Sequence, residues 1–367
     1  MIRVLYLLNH AGKAGTEAYV LSLADRLSGR IDPFLVYNEE GLLVQQLKDR
    51  GIPAYRLSMR HPYDLPAAFR LAALCRRLNI HIIHAQYLRE NYIALLSRLL
   101  RPRTRVIYTN HFILDNNPLL RISNRLLSRL QAQVIAVCDP GRDRMIRNGV
   151  DPRRIRVIHN GVDPAYWGTR GPSSLRKEFG IPDDAMLLLC GSRFAYDKGH
   201  EYLISAIALL KNLAPCPFRF ILANDGPFWE DRKKQAAELG LMDTVVFTGP
   251  RKDIKNLYDG CDIYVNSSWH EALSFAIIEA MAEGLPVVAT RMGGNTDIIR
   301  EDERNGLLVT YGEAPELAET LARLMADAAL RRELSENGQR SVRDKFNLDI
   351  MAASTYNLYK KAISREV

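Results

Sequence analysis

The sequence predicts an α/β chain built on two doubly wound parallel sheets. Short apolar runs rich in Val and Ile alternate with helical segments twice along the chain, the pattern of strand–helix units that share a parallel sheet. The length of 367 residues suits two domains, each with its own core. Charge divides the chain at a similar place. Residues 1–165 hold 25 Lys and Arg against 13 Asp and Glu, a net of +12, and the remaining 202 hold 25 against 29, a net of −4. Two units meeting different partners fit that division.

Taken in order, Ile2 to Leu8 is the first strand. It runs into Gly12-Lys-Ala-Gly15-Thr16-Glu17 and a helix from Thr16 to Leu27. Glycines at such a turn let backbone approach a phosphate at the helix amino end. The spacing is not G-x-G-x-x-G, and a plain tight turn fits it equally well. Strands follow at 33–37, 54–57, 80–85, 106–109 and 133–137. His84 and His111 fall at the carboxyl ends of two of them, where open parallel sheets place ligands. A lone histidine there is more often structural. The segment 118–133 carries Arg121, Arg125 and Arg129 amid Leu119, Leu126, Leu127 and Leu130. An amphipathic helix with such a ridge suits anionic lipid headgroups or an acidic acceptor; a solvated surface helix is the plainer reading.

The first domain is expected to end near 165, with 164–172 as a linker. The second series opens with a strand at 186–190, then a glycine-containing loop holding Arg193 and Lys198, then a helix at 201–210. Two fixed cations there can neutralise a diphosphate, each charge-assisted hydrogen bond contributing about 1.5–3 kcal/mol; a structural ion pair is the alternative. Strands are expected at 218–223 and 245–249, and the last helices at 315–328, 330–345 and 348–364.

Residues 262–290 read as strand, loop, helix, turn and strand, with Glu271 and Glu279 eight positions apart. Eight helical steps of about 100° leave two residues roughly 80° apart, so both cannot share a helix face. The spacing works with Glu271 in the loop and Glu279 about two turns into the helix. A carboxylate accepts hydrogen bonds from paired hydroxyls, so the layout suits a ligand with sugar on both sides of a phosphate. Two solvated glutamates around an amphipathic helix remain the plain alternative.

Composition excludes several classes. Apolar residues at 47% and charged ones at 25% are ordinary for a globular enzyme. The five cysteines are scattered with no C-x-x-C pair, so neither a disulfide framework nor a thiolate metal site is indicated. No apolar run reaches membrane-spanning length, and the amino terminus lacks a signal-peptide pattern. A cytoplasmic protein is expected.

The order of motifs resembles the retaining, nucleotide-sugar-dependent glycosyltransferases of the GT-B fold, in particular family 4. The specific part is the glutamate pair with Glu279-Ala-Met-Ala-Glu-Gly-Leu-Pro-Val-Val-Ala-Thr290; the 12–17 loop and Asn160-Gly-Val-Asp163 support it. Matching segments run from Gly12 to about Phe346. The resemblance implies two Rossmann-like domains facing across a cleft: 1–165 binding the acceptor and 166–345 binding the nucleotide sugar, with 346–367 a helix returning to the first domain. It implies that Arg193 and Lys198 hold the donor diphosphate. Glu271 would contact donor-sugar hydroxyls, aided by backbone N–H groups at Leu273, Ser274 and Phe275. Glu279 would accept from the ribose, and Arg251 to Asp253 would border the base. Gly12, Gly15 and Thr16 would lie against the diphosphate from the other domain, His111 near the transferred sugar, and His84 and Gly12 toward the acceptor.

The mechanism implied is front-face displacement with retention, in which placement and electrostatic stabilisation of the leaving diphosphate do the catalysis. No metal and no cofactor are expected, the co-substrate being a UDP-sugar in preference to a GDP-sugar. The expected product is a cell-envelope polysaccharide, lipopolysaccharide or glycolipid. Partners are a carbohydrate or lipid-linked acceptor, with peripheral contact to the inner face of an anionic membrane through Arg121, Arg125 and Arg129, and no nucleic acid. Departures fall on donor contacts: Ala272 and Ser274 replace glycines common in the family, Asp297 replaces a glutamate, and Ala223 replaces a glycine. Two other readings stand beside this one. An epimerase-like protein of the same fold should lack the Arg/Lys–Glu–Glu combination, and a non-catalytic basic binding module should bind polyanions in a salt-sensitive way.

Overall fold

A computed structural model describes residues 1–12 and 15–364. The chain divides into two compact units: Met1–Asn160 joined by the chain from Leu348, and Gly161–Asn347.

The first unit holds seven strands: β1 (Ile2–His10), β2 (Ile31–Glu39), β3 (Ala54–Arg56), β4 (Ile82–Ala85), β5 (Arg105–Asn110), β6 (Gln133–Ala136) and β7 (Ile155–Val157). All pair in parallel, in the order β3-β2-β1-β4-β5-β6-β7. Their centres are buried on both faces, as the unbroken apolar runs of β1 and β5 require.

The second unit repeats the scheme with β8 (Met186–Cys190), β9 (Phe218–Ala223), β10 (Val245–Gly249), β11 (Ile263–Asn266), β12 (Val287–Thr290) and β13 (Leu307–Val309). Its order is β10-β9-β8-β11-β12-β13, again parallel. In each unit the order reverses beside the first strand, between β1 and β4 or between β8 and β11. That reversal leaves a crevice at the carboxyl ends of the two strands, where such sheets bind ligands.

Two strands, β7 and β13, escape the sequence pattern. Each is three residues long and lies at a sheet edge, and β7 is interrupted by the exposed Arg156. The expected linker contains a short helix, Pro164–Trp167, opened by Asp163, whose side chain accepts from the Ala165 N–H.

The last helix, Leu348–Ser364, packs on the first unit, against the helix Gly15–Arg26. Its Tyr359 is fully buried, with the hydroxyl 2.6 Å from Nδ1 of His84 on β4. Arg26 and Asp349 add an ion pair at 3.4 Å.

Candidate functional site

The most developed polar site lies at the reversal of the second sheet. β8 and β11 are neighbours, so the loops leaving them run side by side. Gly199 closes the first loop at φ +65°, and a Cβ there would run into the Ser267 carbonyl of the second. Ser267 Oγ donates to the Lys198 carbonyl at 2.8 Å. The Trp269 backbone N–H donates to Asp197 O at 3.0 Å, and its indole N–H to Tyr196 O at 3.1 Å. A third loop, after β12, joins through the Gly294 N–H to the Glu271 carbonyl at 3.1 Å.

That lacing fixes Lys198 and Glu271 in contact. Lys198 Nζ donates to Glu271 Oε1 at 2.9 Å and lies 3.1 Å from Asp197 Oδ2. Ser268 Oγ donates to the same Glu271 oxygen at 2.9 Å. The lysine and glutamate side chains are only 19% and 14% exposed. Burial opposes the lysine's charge, but the Glu271 and Asp197 carboxylates hold its ammonium above the ordinary range. Glu271 Oε2 has no hydrogen-bond partner among the described residues, so the carboxylate keeps one oxygen for a ligand. Arg193, on the same loop as Lys198, is exposed and makes no side-chain ion pair among the described residues.

The helix after Glu271 spans Phe275–Ala282, and Ser274 caps it, its hydroxyl accepting from the Ile277 N–H at 3.4 Å. The serine that replaces a glycine thus serves the helix start. Leu273 and Ser274 are buried, and Phe275 is half-buried as the first helical residue. Glu279 stands four residues past Phe275, closer to the amino end than the two turns expected. Its Oε2 lies 3.2 Å from the Tyr258 hydroxyl, which also reaches the Ala276 carbonyl at 3.2 Å. Burial pushes the Glu279 carboxyl up to about 7, with the tyrosine hydrogen bond opposing the shift.

Arg251, expected with Asp253 to border the base, is held between two carboxylates. Its guanidinium forks to Asp253, with Nε to Oδ1 at 2.8 Å and Nη2 to Oδ2 at 2.6 Å. It also forks to Glu178, with Nη2 to Oε2 at 3.0 Å and Nη1 to Oε1. Two carboxylates neutralise it, and it clamps the β10 loop to the helix Leu175–Glu178.

In the first unit, Gly15 opens a helix whose second residue, Thr16, is buried; Lys13 and Ala14 of the expected phosphate loop lie outside the described residues. The Gly12 N–H already donates to Glu17 Oε1 at 3.1 Å, which removes it from the set of amides open to an acceptor. His84 is fully buried with both nitrogens engaged, Nδ1 by Tyr359 and Nε2 by Thr109 Oγ1 at 2.7 Å. It therefore has no nitrogen left for an acceptor and serves to dock the last helix. His111 sits just past β5, Nε2 3.0 Å from Gln86 Oε1 and edge-on to Tyr19 at 5.0 Å. Burial pushes both histidines down to about 3, His84 further opposed by His111, so both rings are neutral near pH 7.

Ser268, Tyr258 and Gln86 complete these contacts, and none stood out in the sequence. Ser268 lies three residues before Glu271, a local signal that was there to be read; Tyr258 and Gln86 come from other strand–helix units and leave none.

Two family descriptions match the chain: residues 13–166 match Glycosyltransferase Family 4, and residues 173–341 match Glycosyl transferases group 1. The lipopolysaccharide core biosynthesis glycosyltransferase LpsE of Rhizobium meliloti is 35% identical over 172 residues, 47% of this chain and 49% of that protein. The N-acetyl-alpha-D-glucosaminyl L-malate synthase of Bacillus anthracis is 25% identical over 311 residues, 83% of this chain and 81% of that protein. The chain spans about half the length of the first curated relatives it matches. Among solved structures, Anabaena Alr3699/HepE in complex with UDP-glucose superposes with a TM-score of 0.84 at 25% identity, over 97% of this chain and all of that one.

Proposed function

The chain belongs to the family 4 glycosyltransferases of the GT-B fold, and on that premise we propose that it moves a hexose from a UDP-sugar to an acceptor hydroxyl with retention of configuration and without a metal ion. The observation that carries the reading is the Lys198–Glu271 pair, fixed at the sheet reversal with one glutamate oxygen unspent. In this assignment Lys198 and Arg193 meet the diphosphate and stabilise charge developing on the leaving nucleotide. Glu271 Oε2 accepts from the hexose hydroxyls, and Leu273, Ser274 and Phe275 set the backbone that carries it into the capped helix. Glu279 accepts from the ribose hydroxyls. His111 is assigned to the transferred sugar as a neutral hydrogen-bonding group, and Gly15 and Thr16 to the diphosphate.

The Anabaena protein's complex with UDP-glucose supports a uridine nucleotide and a hexose. The lipopolysaccharide relative supports an acceptor of the cell envelope, carbohydrate or lipid-linked. Among the described residues no helix is long and apolar enough to cross a membrane. Peripheral attachment at the cytoplasmic face is supported by the helix Pro118–Leu127, whose Leu119, Ile122 and Leu126 are 64%, 60% and 61% exposed beside the exposed Arg121, Arg125 and Arg129. The test is transfer from UDP-glucose to membrane-extracted glycolipid in excess chelator, with the anomeric configuration of the product read by proton NMR. Retention with undiminished turnover supports the reading. Inversion, or rescue only by added divalent metal, overturns it.

A further inference from the structure

Gln86 and His111 each follow directly on a strand of the first sheet, Gln86 on β4 and His111 on its neighbour β5. The Gln86 backbone N–H donates to the Leu7 carbonyl of β1 at 3.2 Å, which seats it at the reversal of strand order. Its side chain is fully buried, and both ends of the amide are used. Nε2 donates to the His84 carbonyl at 3.1 Å, and Oε1 lies 3.0 Å from His111 Nε2.

These two contacts admit one arrangement of protons. A backbone carbonyl only accepts, so the amide nitrogen must face His84 and the amide oxygen must face His111. The amide oxygen also only accepts, so the His111 ring carries its proton on Nε2. Burial keeps that ring neutral near pH 7, with a single proton. Nδ1 is then a bare acceptor. It has no hydrogen-bond partner among the described residues and is not one of their buried unpartnered atoms, so it is open to a ligand. Tyr19 lies edge-on to the ring at 5.0 Å and Tyr87 tilted against it at 6.2 Å, which holds the ring plane as well.

We propose that Gln86 is a positioning residue for glycosyl transfer: it fixes the His111 tautomer, so that Nδ1 accepts a hydrogen bond from one hydroxyl of the transferred sugar. The assignment rests on the glycosyl-transfer reading above and deepens it by giving the histidine a direction. A ring nitrogen that accepts selects a hydroxyl donor, and its lone pair is left unmatched beside a sugar deoxygenated at that position. The opposite tautomer would present an N–H there and favour an oxygen that only accepts. His84 cannot take this part, since Tyr359 and Thr109 hold both of its nitrogens.

Two readouts on the whole chain test it. In long-range proton–nitrogen NMR of histidine-labelled protein, with His111→Asn identifying the His111 signals, wild type should carry the ring proton on Nε2 and none on Nδ1. Turnover is then compared for UDP-glucose and its monodeoxy analogues, one for each hydroxyl of the hexose. Gln86→Met, which removes both amide contacts, should lose about five- to tenfold in kcat/KM on UDP-glucose, the loss of one neutral hydrogen bond, with UDP affinity unchanged. It should lose as much on every analogue but one, and match wild type on the analogue that lacks the hydroxyl Nδ1 accepts from, the signature of coupled partners. A uniform loss on all substrates, no loss on any, or a proton on Nδ1 in wild type would overturn the positioning role alone. A wild type that turns over none of them overturns the transfer reading, and the sugar contact with it, whatever the tautomer.

Discussion

Lys198 Nζ stands 2.9 Å from Oε1 of Glu271, and the Ser268 hydroxyl reaches that same oxygen, so the carboxylate is held by one edge and open along the other. Replacing Lys198 by Ala removes a fixed cation from the leaving diphosphate. The expected result is a fall in kcat of about 10²- to 10³-fold with a smaller change in KM for the donor, the pattern of a group that acts in the transition state. Steady-state kinetics against UDP-glucose check this; a change confined to KM would place the lysine in ground-state binding instead.

Glu279 predicts a pH dependence. Its carboxyl rises to about 7 in the folded chain, so below that pH it carries a proton and can accept from fewer ribose hydroxyls. Donor affinity should fall as pH drops from 8 to 6 in wild type, and Glu279→Gln should lose that component of the profile. The raised value also has a stability consequence of definite sign. The folded chain binds this proton more tightly than the unfolded chain, so Glu279's contribution is fully present below its ordinary range near 4.5 and is lost as pH rises through about 7. Calorimetric titration of UDP at several pH values, for wild type and Glu279→Gln, measures the functional part.

The Tyr359 hydroxyl of the last helix meets Nδ1 of His84 on the first sheet at 2.6 Å. Tyr359→Phe leaves a buried imidazole nitrogen without its partner, which should lower stability by about 1–3 kcal/mol. Urea unfolding followed by circular dichroism should show the transition of the first unit moving to lower denaturant, while UDP affinity stays unchanged. Equal midpoints for the two proteins would remove the docking role assigned to the pair.

Arg251 is expected to border the base and is also held in a double ion pair. Because both of its edges are held by Glu178 and Asp253, Arg251→Ala should destabilise the second unit more than it weakens nucleotide binding. Thermal melts beside UDP titrations decide it. A large loss of affinity with unchanged melting would give Arg251 the base-bordering role and not the clamping one.

What was legible in the sequence was what repeats or sits close along the chain. The apolar runs of β1 and β8 announced both parallel sheets, and the spacing of Glu271 and Glu279 announced a loop carboxylate followed by a helical one. What was illegible depends on contacts across the sheet. His84 reads as a strand-end histidine in any sequence, and only the return of Tyr359, 275 positions later, shows both its nitrogens spent. Arg251 reads as a loop cation until Glu178 arrives from 73 residues away.

In the proposed function the second unit holds a nucleotide-diphosphate sugar through Lys198, Glu271 and Glu279. The most direct measurement is thermal stability of wild type, Lys198→Ala and Glu279→Ala against UDP-, GDP- and ADP-glucose. A ligand at about 100 times its dissociation constant stabilises the folded chain by roughly 2.7 kcal/mol. Wild type should shift clearly upward with UDP-glucose and less or not at all with the other two, and both variants should lose the UDP-glucose shift. No shift with any nucleotide sugar, or an undiminished shift in both variants, would contradict it.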